Sequence, residues 1–341
     1  MDKNAKLTIA DIAEKAGVSI STVSRVLNGK NDVSDKTRQK VQMIIDQSGY
    51  TPFLKVTQTI QERIPTIAFL YPLQSDFTPR DQGFATGIAA AAGEDNYRSQ
   101  FITRDLTRQE IETMVLDKEV DGLIVGRATE DDWRVDYLLE HDFPFVLLRP
   151  YQNKADERLT FVGLDYPYVV EKVFQYLIDL AHENIGFMTF PRSAIHQKFL
   201  PAVQSIATYE QIIQQHQLPN LMCPVEYTSD SGFRTTMDLL QINPNISAIF
   251  TFHEINIPGI ISALQQLGKR IPHDVSLMGL VTPYSSELII PKLTFMKYDS
   301  FEIGYQAAQL LLGILSGRAA NGQVILRPEL IIGNSTAKYN K

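Results

Sequence analysis

Three side chains near the amino terminus, Ile20, Ser21 and Arg25, are of types that can read the edges of DNA bases. An arginine can donate to O6 and N7 of guanine together, which discriminates by about 1–3 kcal/mol, and an isoleucine can contact a thymine methyl group. A solvated arginine on an exposed helix is the alternative for Arg25. Hydroxyl and amide side chains around them suit phosphate contacts, which set the register on DNA; these are Thr8, Ser19, Thr22, Ser24 and Asn28.

Two short helices joined by a turn at Gly17 are needed to place these side chains on one face. Ile12 and Ala16 lie at helical spacing before the glycine, and Val23 and Val26 do so after it. These apolar stripes would pack together and leave the polar face of the second helix exposed. A helix-turn-helix presents such a face to the major groove. Spacing alone also allows an ordinary two-helix corner.

Residues 8–29 read T-I-A-D-I-A-E-K-A-G-V-S-I-S-T-V-S-R-V-L-N-G and closely resemble the headpiece of the LacI/GalR repressor family. The family pattern T-x-x-D-I-A-x-x-A-G-V-S-x-x-T-V-S-R-V-L-N-G is met at every fixed position. The resemblance implies a three-helix DNA-binding headpiece over residues 1–52. It also implies that Val33, Ser34 and Thr37 hold the DNA backbone through amides and hydroxyls.

Residues 53–63 correspond, by the same resemblance, to a hinge that folds into a short helix on DNA and inserts a leucine into the minor groove. Val56 and Thr59 stand where the family has an alanine and that leucine, and Ile60 follows. An inserted wedge must be apolar, which a threonine is not. Either Ile60 takes that place or the operator is bent less.

After the hinge, short apolar runs alternate with longer helical patterns. Runs such as Thr66–Tyr71, Phe101–Thr103 and Gly122–Gly126 are typical of buried parallel strands, and Gln82–Asn96 is typical of a helix between them. The alternation restarts after Asp165. The predicted fold class is α/β: an N-terminal all-α helix-turn-helix headpiece, then a two-lobed core of doubly wound parallel sheets.

This core also resembles that of the LacI/GalR family, which is similar to periplasmic sugar-binding proteins. The matching stretches include V-D-G-L-I-V at 120–125 and I-P-H-D-V-S-L-M-G at 271–279. The resemblance implies an effector-binding and dimerisation domain over residues 64–341. One lobe would comprise about 64–165 with 298–326, and the other about 166–297 with 327–341. The effector site would be the cleft between them, at the carboxyl ends of the strands.

The candidates to line this cleft lie in loops after the predicted strands; they are Tyr71, Phe77, Arg127, Arg149, Asp165, His196, Gln197, His253, Glu254 and Thr282. Sugar-binding relatives differ here, with an arginine at Gln197, Asn-Asp at His253-Glu254 and an Asp pair at Val281-Thr282. Charged hydrogen bonds of that kind contribute about 1.5–3 kcal/mol each. A sugar or sugar-derived metabolite is the first prediction. A phosphorylated or non-sugar metabolite bound by Arg127 or Arg149, and a degenerate cleft, are the alternatives.

Charge is distributed unevenly along the chain. Residues 1–64 contain ten Lys and Arg and seven Asp and Glu, a net charge of +3, whereas the whole chain carries −7, which leaves −10 for the remainder. A basic small domain on an acidic large one suits phosphate binding confined to one end. Chance fluctuation in a short segment would give the same balance.

The sequence contains none of the common motifs of metal sites, hydrolases or nucleotide-binding enzymes. The 6 histidines show no H-x-x-x-H or H-E-x-x-H spacing, Cys223 is the only cysteine, and neither a G-x-S-x-G elbow nor a Walker loop occurs. We therefore expect no metal, no cofactor and no enzyme activity. The apolar runs are too short to cross a bilayer, and the amino terminus lacks a signal-peptide pattern, so we expect a cytoplasmic protein without a membrane partner.

The sequence thus predicts a homodimeric transcription regulator, interpreted as a repressor, on a pseudo-palindromic double-stranded DNA operator under small-molecule control. Tetrameric relatives carry a leucine-heptad tail, and the few polar residues after Thr336 predict a dimer instead. The alternatives are a small-molecule-binding protein and a sugar-metabolising enzyme, each without a gene-regulatory role.

Overall fold

The computed structural model describes residues 9–27, 33–48, 63–73, 78–129, 131–149, 159–318 and 322–340. The chain forms two compact units, residues 1–63 and residues 64–341. We call the first the headpiece unit and the second the body, and each is described by itself.

The described part of the headpiece unit consists of three helices, α1 (Ile9–Ala16), α2 (Ile20–Leu27) and α3 (Asp35–Ser48). Helix α1 ends in a Schellman turn, in which the N–H of Gly17 donates to the carbonyl of Glu14 at 3.1 Å and that of Val18 to the carbonyl of Ala13 at 3.0 Å. Gly17 has a φ of 61°, a left-handed conformation that favours glycine. The three helices share one small apolar core, formed by Ile12, Ala13, Ala16, Val23, Val26, Val41 and Ile45.

Strands and helices alternate through the body. The strands are β1 (Thr66–Leu70), β2 (Arg98–Ile102), β3 (Gly122–Val125), β4 (Phe145–Leu147), β5 (Phe161–Leu164), β6 (Ile185–Thr189), β7 (Met222–Pro224), β8 (Ala248–Thr251), β9 (Ser276–Val281), β10 (Thr294–Lys297), β11 (Gln323–Leu326) and β12 (Glu329–Ile331). The helices are α4 (Pro79–Glu94), α5 (Arg108–Leu116), α6 (Trp133–Glu140), α7 (Tyr166–Asp179), α8 (Arg192–His196), α9 (Leu200–His216), α10 (Ser229–Ile242), α11 (Ile257–Gln266), α12 (Pro283–Glu287) and α13 (Ser300–Leu315). A 3₁₀ turn, Glu254–Asn256, precedes α11.

The strands form two six-stranded sheets, one in each lobe of the body. The first has the order β11-β5-β4-β3-β1-β2, and all its described pairs are parallel. The second has the order β12-β10-β9-β8-β6-β7, and there the pair of β10 with β12 is antiparallel. The chain crosses between lobes after β5, after β10 and after β11. Arg327 Nε donates to Asp165 Oδ2 at 3.0 Å and so links the first crossing to the last.

Helices cover the sheets closely enough to bury whole strands. Every residue of β3 and β9 is buried, as expected for parallel strands covered on both faces. Helix α4 packs on α13 through Gly87, where an added Cβ would lie 2.1 Å from the carbonyl oxygen of Phe301. The backbones of these two helices therefore touch at a point that leaves no room for a side chain.

The predicted fold class is confirmed, because three N-terminal helices precede two predominantly parallel sheets with helices between their strands. The predicted strand Gly122–Gly126 corresponds to β3. The predicted strand Phe101–Thr103 corresponds only to the end of β2, which begins at Arg98. Strand β2 lies at a sheet edge, and its first half contains the exposed polar residues Arg98 and Gln100 instead of an apolar run. The sequence pattern therefore does not indicate where this strand begins.

Candidate DNA-reading face and effector cavity

One side of α2 is buried and the other is exposed. Val23 and Val26 are 0% and 6% exposed in the headpiece core. Ile20 is 52% exposed, and Ser21 and Arg25 are exposed on the same helix. We call Ile20, Ser21 and Arg25 the reading face. It offers an apolar group, a hydroxyl and a guanidinium to solvent within two turns of helix.

Hydroxyl side chains lie at the amino-terminal ends of both α2 and α3. Ser19 Oγ accepts from the N–H of Thr22 at 3.2 Å and lies 2.8 Å from its hydroxyl. Ser34 Oγ likewise accepts from the N–H of Thr37 at 3.4 Å and lies 2.8 Å from its hydroxyl. Val33, just before Ser34, is half-buried against the core. Helix amino termini with hydroxyls are suited to phosphate oxygens.

Several predicted DNA contacts fall outside the described residues, namely Thr8, Asn28, Val56, Thr59 and Ile60. The backbone of Ser24 belongs to α2, and its side chain is likewise outside what is described.

The body contains a cavity of about 130 Å³ between its two lobes. Its walls come from loops at the carboxyl ends of strands in both sheets, the position where open α/β sheets bind ligands. The lining includes an aromatic group, formed by Tyr71, Phe84, Tyr166, Phe190, Phe199, Tyr227 and Tyr298. It also includes a charged group, formed by Arg80, Asp81, Arg127, Arg149 and Glu254, with His253 beside it.

The three arginines come from the first lobe. Arg80 lies in the first turn of α4, Arg127 follows β3 and Arg149 follows β4. Each guanidinium covers an aromatic ring, with its central carbon 4.9 Å from the centroid of Tyr298, 4.7 Å from that of Tyr71 and 5.2 Å from that of Phe199, respectively. Arg80 Nη2 also donates to the carbonyl of Phe252 in the second lobe at 3.4 Å.

The second lobe contributes His253 and Glu254, which follow β8 and are 2% and 8% exposed. Glu254 Oε2 accepts from the N–H and from the hydroxyl of Thr282, both at 2.8 Å. The ring of His253 packs between those of Phe190 and Tyr227, with centroids 5.2 and 4.6 Å away. Burial, assisted by two nearby arginines, lowers the pKa of His253 well below its usual value, so the imidazole is neutral at pH 7.

Four tyrosines of the cavity wall keep their protons at pH 7, so their hydroxyls are able to donate hydrogen bonds. Burial raises the pKa of Tyr227 to about 12. It also raises the pKa of Tyr71, Tyr166 and Tyr298 above the ordinary value of a phenol. The cavity thus combines apolar ring faces, hydroxyl and guanidinium groups, and the carboxylate of Glu254, whose Oε1 accepts no hydrogen bond from the described residues.

The structure brings together five of the predicted effector residues in the cavity wall, namely Tyr71, Arg127, Arg149, His253 and Glu254. Thr282 stands behind Glu254 and does not line the cavity.

Three more predicted residues do not line it either. Asp165 caps α7 by accepting from the N–H of Tyr168 at 3.0 Å and pairs with Arg327. His196 and Gln197, at the end of α8, are exposed. Phe77 falls outside the described residues.

Arg80 and the tyrosines Tyr166, Tyr227 and Tyr298 are cavity residues that the sequence analysis does not predict. A signal for Arg80 exists in the stretch T-P-R-D, because Thr78 and Asp81 form a capping box with a proline at the first helical position. That signature places the start of α4 at Pro79 rather than at the predicted Gln82, and so places Arg80 beside the end of β1.

None of the helices among the described residues is long and apolar enough to span a membrane. Within the same residues, no group of three or more His, Cys, Asp or Glu side chains is placed to hold a metal ion.

Two family profiles match the chain. Residues 8–52 match "Bacterial regulatory proteins, lacI family", and residues 174–336 match "Periplasmic binding protein-like domain". Catabolite control protein A of Priestia megaterium is 27% identical over 333 residues, covering 95% of this chain and 97% of that protein. The transcriptional regulator DegA of Bacillus subtilis is 28% identical over 345 residues, covering 98% and 99%.

Solved structures support the fold. A complex of the transcriptional regulator CelR with cellobiose superposes with a TM-score of 0.69 at 23% identity, covering 96% of this chain and 99% of that one. The lac repressor dimer bound to its operator and an anti-inducer superposes with a TM-score of 0.70 at 22% identity, covering 98% and 100%.

The helix-turn-helix unit, the two-lobed body and the two profile matches define one class of protein, a DNA-binding regulator of transcription rather than an enzyme. The chain belongs to the LacI family of bacterial regulatory proteins, as its sequence predicts.

Proposed function

We propose that the protein binds a pseudo-palindromic DNA operator as a homodimer and represses transcription under the control of a small-molecule effector. Two identical reading faces related by a two-fold axis recognise two half-sites of opposite direction, hence the pseudo-palindrome. Because its target is chromosomal DNA, we assign the protein to the cytoplasm. We also propose residues 1–52 as the headpiece, 53–63 as the hinge and 64–341 as the effector domain, whose lobes divide as given above.

The observation that carries this proposal is the exposed reading face on a helix whose opposite side is fully buried. Ile20 is 52% exposed and shares this face with exposed Ser21 and Arg25, so the face combines an apolar group with the polar groups that can contact base edges. We assign Arg25 to a guanine and Ile20 to a thymine methyl group. Ser21 is assigned to a base contact that tolerates more than one base. The hydroxyls of Ser19, Thr22, Ser34 and Thr37 and the amides near Val33 are assigned to phosphates, as are Thr8, Ser24 and Asn28.

The cavity between the lobes is the proposed effector site. Ligand-binding residues from the first lobe (Arg80, Arg127) and from the second (His253, Glu254) face one space, so a ligand there favours the closed arrangement of the lobes. CelR, a relative in fold, is known with cellobiose, which supports a sugar or sugar-derived metabolite as effector.

Selection of DNA from a random library by the full-length protein tests the proposal. The wild-type protein is expected to enrich a two-fold symmetric motif. Arg25→Ala removes one contact of about 1–3 kcal/mol from each of the two half-sites, so the dimer is expected to bind that motif at least about 30-fold more weakly and to relax the preference at one base pair per half-site.

Arg234→Ala is the matched control, because Arg234 is an exposed arginine of the body paired with Asp230. It makes the same change of charge and size and should leave selection unchanged. Binding at fixed salt is compared for all three proteins, since salt alone alters affinity. Unchanged base preference in Arg25→Ala would remove Arg25 from the reading face, and no enriched motif with the wild type would overturn the function.

A further inference from the structure

The side chain of Arg80 reaches from the first lobe of the body to the second. Arg80 lies in the first turn of α4, and its Nη2 donates to the carbonyl of Phe252, just after β8, at 3.4 Å. Its guanidinium also lies over the ring of Tyr298, with 4.9 Å between the central carbon and the ring centroid. Tyr298 belongs to the segment that returns the chain to the first lobe after β10. One side chain therefore contacts the second lobe and a crossing segment together.

A buried carboxylate of the second lobe acts on the same guanidinium. Burial lowers the pKa of Arg80, but acidic neighbours, Tyr298 and Glu254 among them, raise it above the ordinary value of an arginine. Arg80 is therefore charged at pH 7, and Glu254 attracts it across the cleft. Two hydrogen bonds from Thr282 fix Glu254 to its own lobe. Opening of the lobes would therefore move the two charges apart.

A second arginine of the first lobe makes a contact of the same kind. Arg149 follows β4, and the central carbon of its guanidinium lies 5.2 Å from the ring centroid of Phe199, which precedes α9 in the second lobe. Arg149 is buried, and the attraction between a cation and the face of a ring is stronger where water is excluded. Two arginines from separate elements of the first lobe thus contact the second.

The space that these contacts leave between the lobes is small. The cavity has a volume of about 130 Å³, slightly less than a cavity of about 150 Å³ that accepts one benzene ring. Arg80 is part of its wall, so the side chain that joins the lobes also limits the space between them. In proteins with two lobes, closure commonly occurs around a ligand, whose contacts hold the lobes together. Here side chains of the protein itself provide contacts between the lobes.

We propose that Arg80 is a built-in bridge that keeps the two lobes of the body closed when no effector is bound. This inference rests on the proposed function, since it concerns the regulation of the same effector site. A ligand can change the arrangement of the lobes only to the extent that the free protein does not already adopt it. With Arg80 in place, the free protein already has most of the closure that an effector would otherwise induce.

The distance between the lobes in solution tests the bridge. Strands β2 and β7 lie at the sheet edges opposite β11 and β12, near which the chain crosses between lobes, so an opening of the lobes separates the β2 and β7 edges most. Spin labels are attached to cysteines that replace two exposed side chains, Gln109 in the first turn of α5 and Glu226 in the loop after β7. Cys223→Ser removes the native thiol.

Double electron–electron resonance then measures the distance between the labels in the full-length protein after extensive dialysis and without effector. Dilution with unlabelled protein suppresses distances between subunits. The labelled protein with Arg80 in place should give one narrow distribution, with the open arrangement in fewer than about 10% of molecules. Arg80→Ala should add a longer distance and raise the ratio of open to closed molecules about tenfold or more, because it removes the hydrogen bond, the ring contact and the attraction to Glu254.

Two further variants separate the bridge from a general loss of charge. Glu254→Gln keeps an oxygen that accepts from Thr282 but loses the negative charge, so it should raise the ratio of open to closed molecules by a smaller factor than Arg80→Ala. Arg234→Ala is the matched control, since Arg234 is an exposed arginine of the body paired with Asp230. It should leave the distribution unchanged.

The outcomes are decisive in both directions. A longer distance in most molecules that retain Arg80 overturns the proposal, and so does an unchanged distribution in Arg80→Ala. Equal effects of Arg80→Ala and Arg234→Ala overturn it as well. The melting temperature shows whether each variant is folded. Should Arg80→Ala fold poorly, Glu254→Gln carries the test, and an unchanged distribution in that variant overturns the proposal.

Failure of the bridge differs from failure of the proposed function, because the distance measurement needs neither DNA nor an effector. If the wild type enriches a two-fold symmetric DNA motif but Arg80→Ala stays closed, the bridge is wrong and the regulator stands. If no motif is enriched but Arg80→Ala opens, the regulator is wrong and the bridge stands as a property of the body.

Discussion

The hydroxyl of Thr282 donates a hydrogen bond to the buried carboxylate of Glu254. Replacement of Thr282 by valine therefore tests how much this bond stabilises the body. Thr282 is 4% exposed and donates to Glu254 through both its N–H and its hydroxyl at 2.8 Å. Its hydroxyl also caps α12 by accepting from the N–H of Ser285 at 3.4 Å. Valine keeps the shape of the side chain and the N–H donor but removes the hydroxyl.

The expected cost follows from these contacts. A hydrogen bond to a charged group contributes about 1.5–3 kcal/mol, and loss of a helix cap costs about 0.5–2 kcal/mol. The two share one hydroxyl, so Thr282→Val should lower the free energy of unfolding of the body by about 2–4 kcal/mol. A change of 1 kcal/mol moves the melting temperature by about 2–4 °C in domains of 150–250 residues, so the shift is readily measured.

Two controls separate the charge from the hydroxyl itself. Thr282→Ser keeps the donor and the cap and removes one methyl group, which costs about 0.8 kcal/mol. Thr236→Val removes an equally buried hydroxyl that donates to a neutral carbonyl, that of Gly232 at 2.7 Å, and should cost about 1 kcal/mol. Unfolding is followed by calorimetry on the main transition. Equal losses in Thr282→Val and Thr236→Val would refute the claim that Glu254 needs this hydroxyl.

Three further predictions concern stability and reactivity. Burial lowers the pKa of His253 well below 6.5, so the unfolded chain binds the proton first as the pH falls. The free energy of unfolding should therefore decrease below about pH 6.5 by up to about 1.4 kcal/mol per pH unit. Calorimetry at pH 5–7 should show a smaller decrease in His253→Gln, whereas replacement of the exposed His273 by Gln should leave it unchanged. Gly87→Val should prevent α4 from packing on α13, since the added Cβ would lie 2.1 Å from the carbonyl oxygen of Phe301; a melting temperature within about 2 °C of the wild type would contradict this. Burial raises the pKa of the Cys223 thiol, so iodoacetamide should label it at least about tenfold more slowly in the native protein than in urea, as measured by mass spectrometry.

Much of the fold could be predicted from the sequence because the dominant signals are local. The headpiece helices carry apolar residues at helical spacing, and most strands of the body are short runs that are buried on both faces. The start of β2 could not be predicted in this way, because Arg98 and Gln100 are exposed at the sheet edge. The antiparallel β12 also depends on pairing with β10, a contact between distant segments that no local pattern encodes.

The effector site was predictable only in part, because the loops that form it obey no periodicity. Residues directly after strands, such as Tyr71, Arg127 and His253, could be placed since strand ends meet at one edge of a parallel sheet. His196 lies in a short helix after β6 and is turned to solvent, which the chain order alone does not reveal. Tyr298 enters the cavity from a lobe crossing, a position fixed by the whole topology.

Several polar groups of the cavity, Arg127, Arg149 and His253, stand on loops directly after strands that are fully buried. A change from Arg127 or His253 to another residue therefore leaves the packing of β3 and β8 intact. Ligand preference can consequently change at these loop positions while the sheets keep their packing. After a gene duplication, the ligand preference of one copy can change through a few loop substitutions, and each variant along the way still folds.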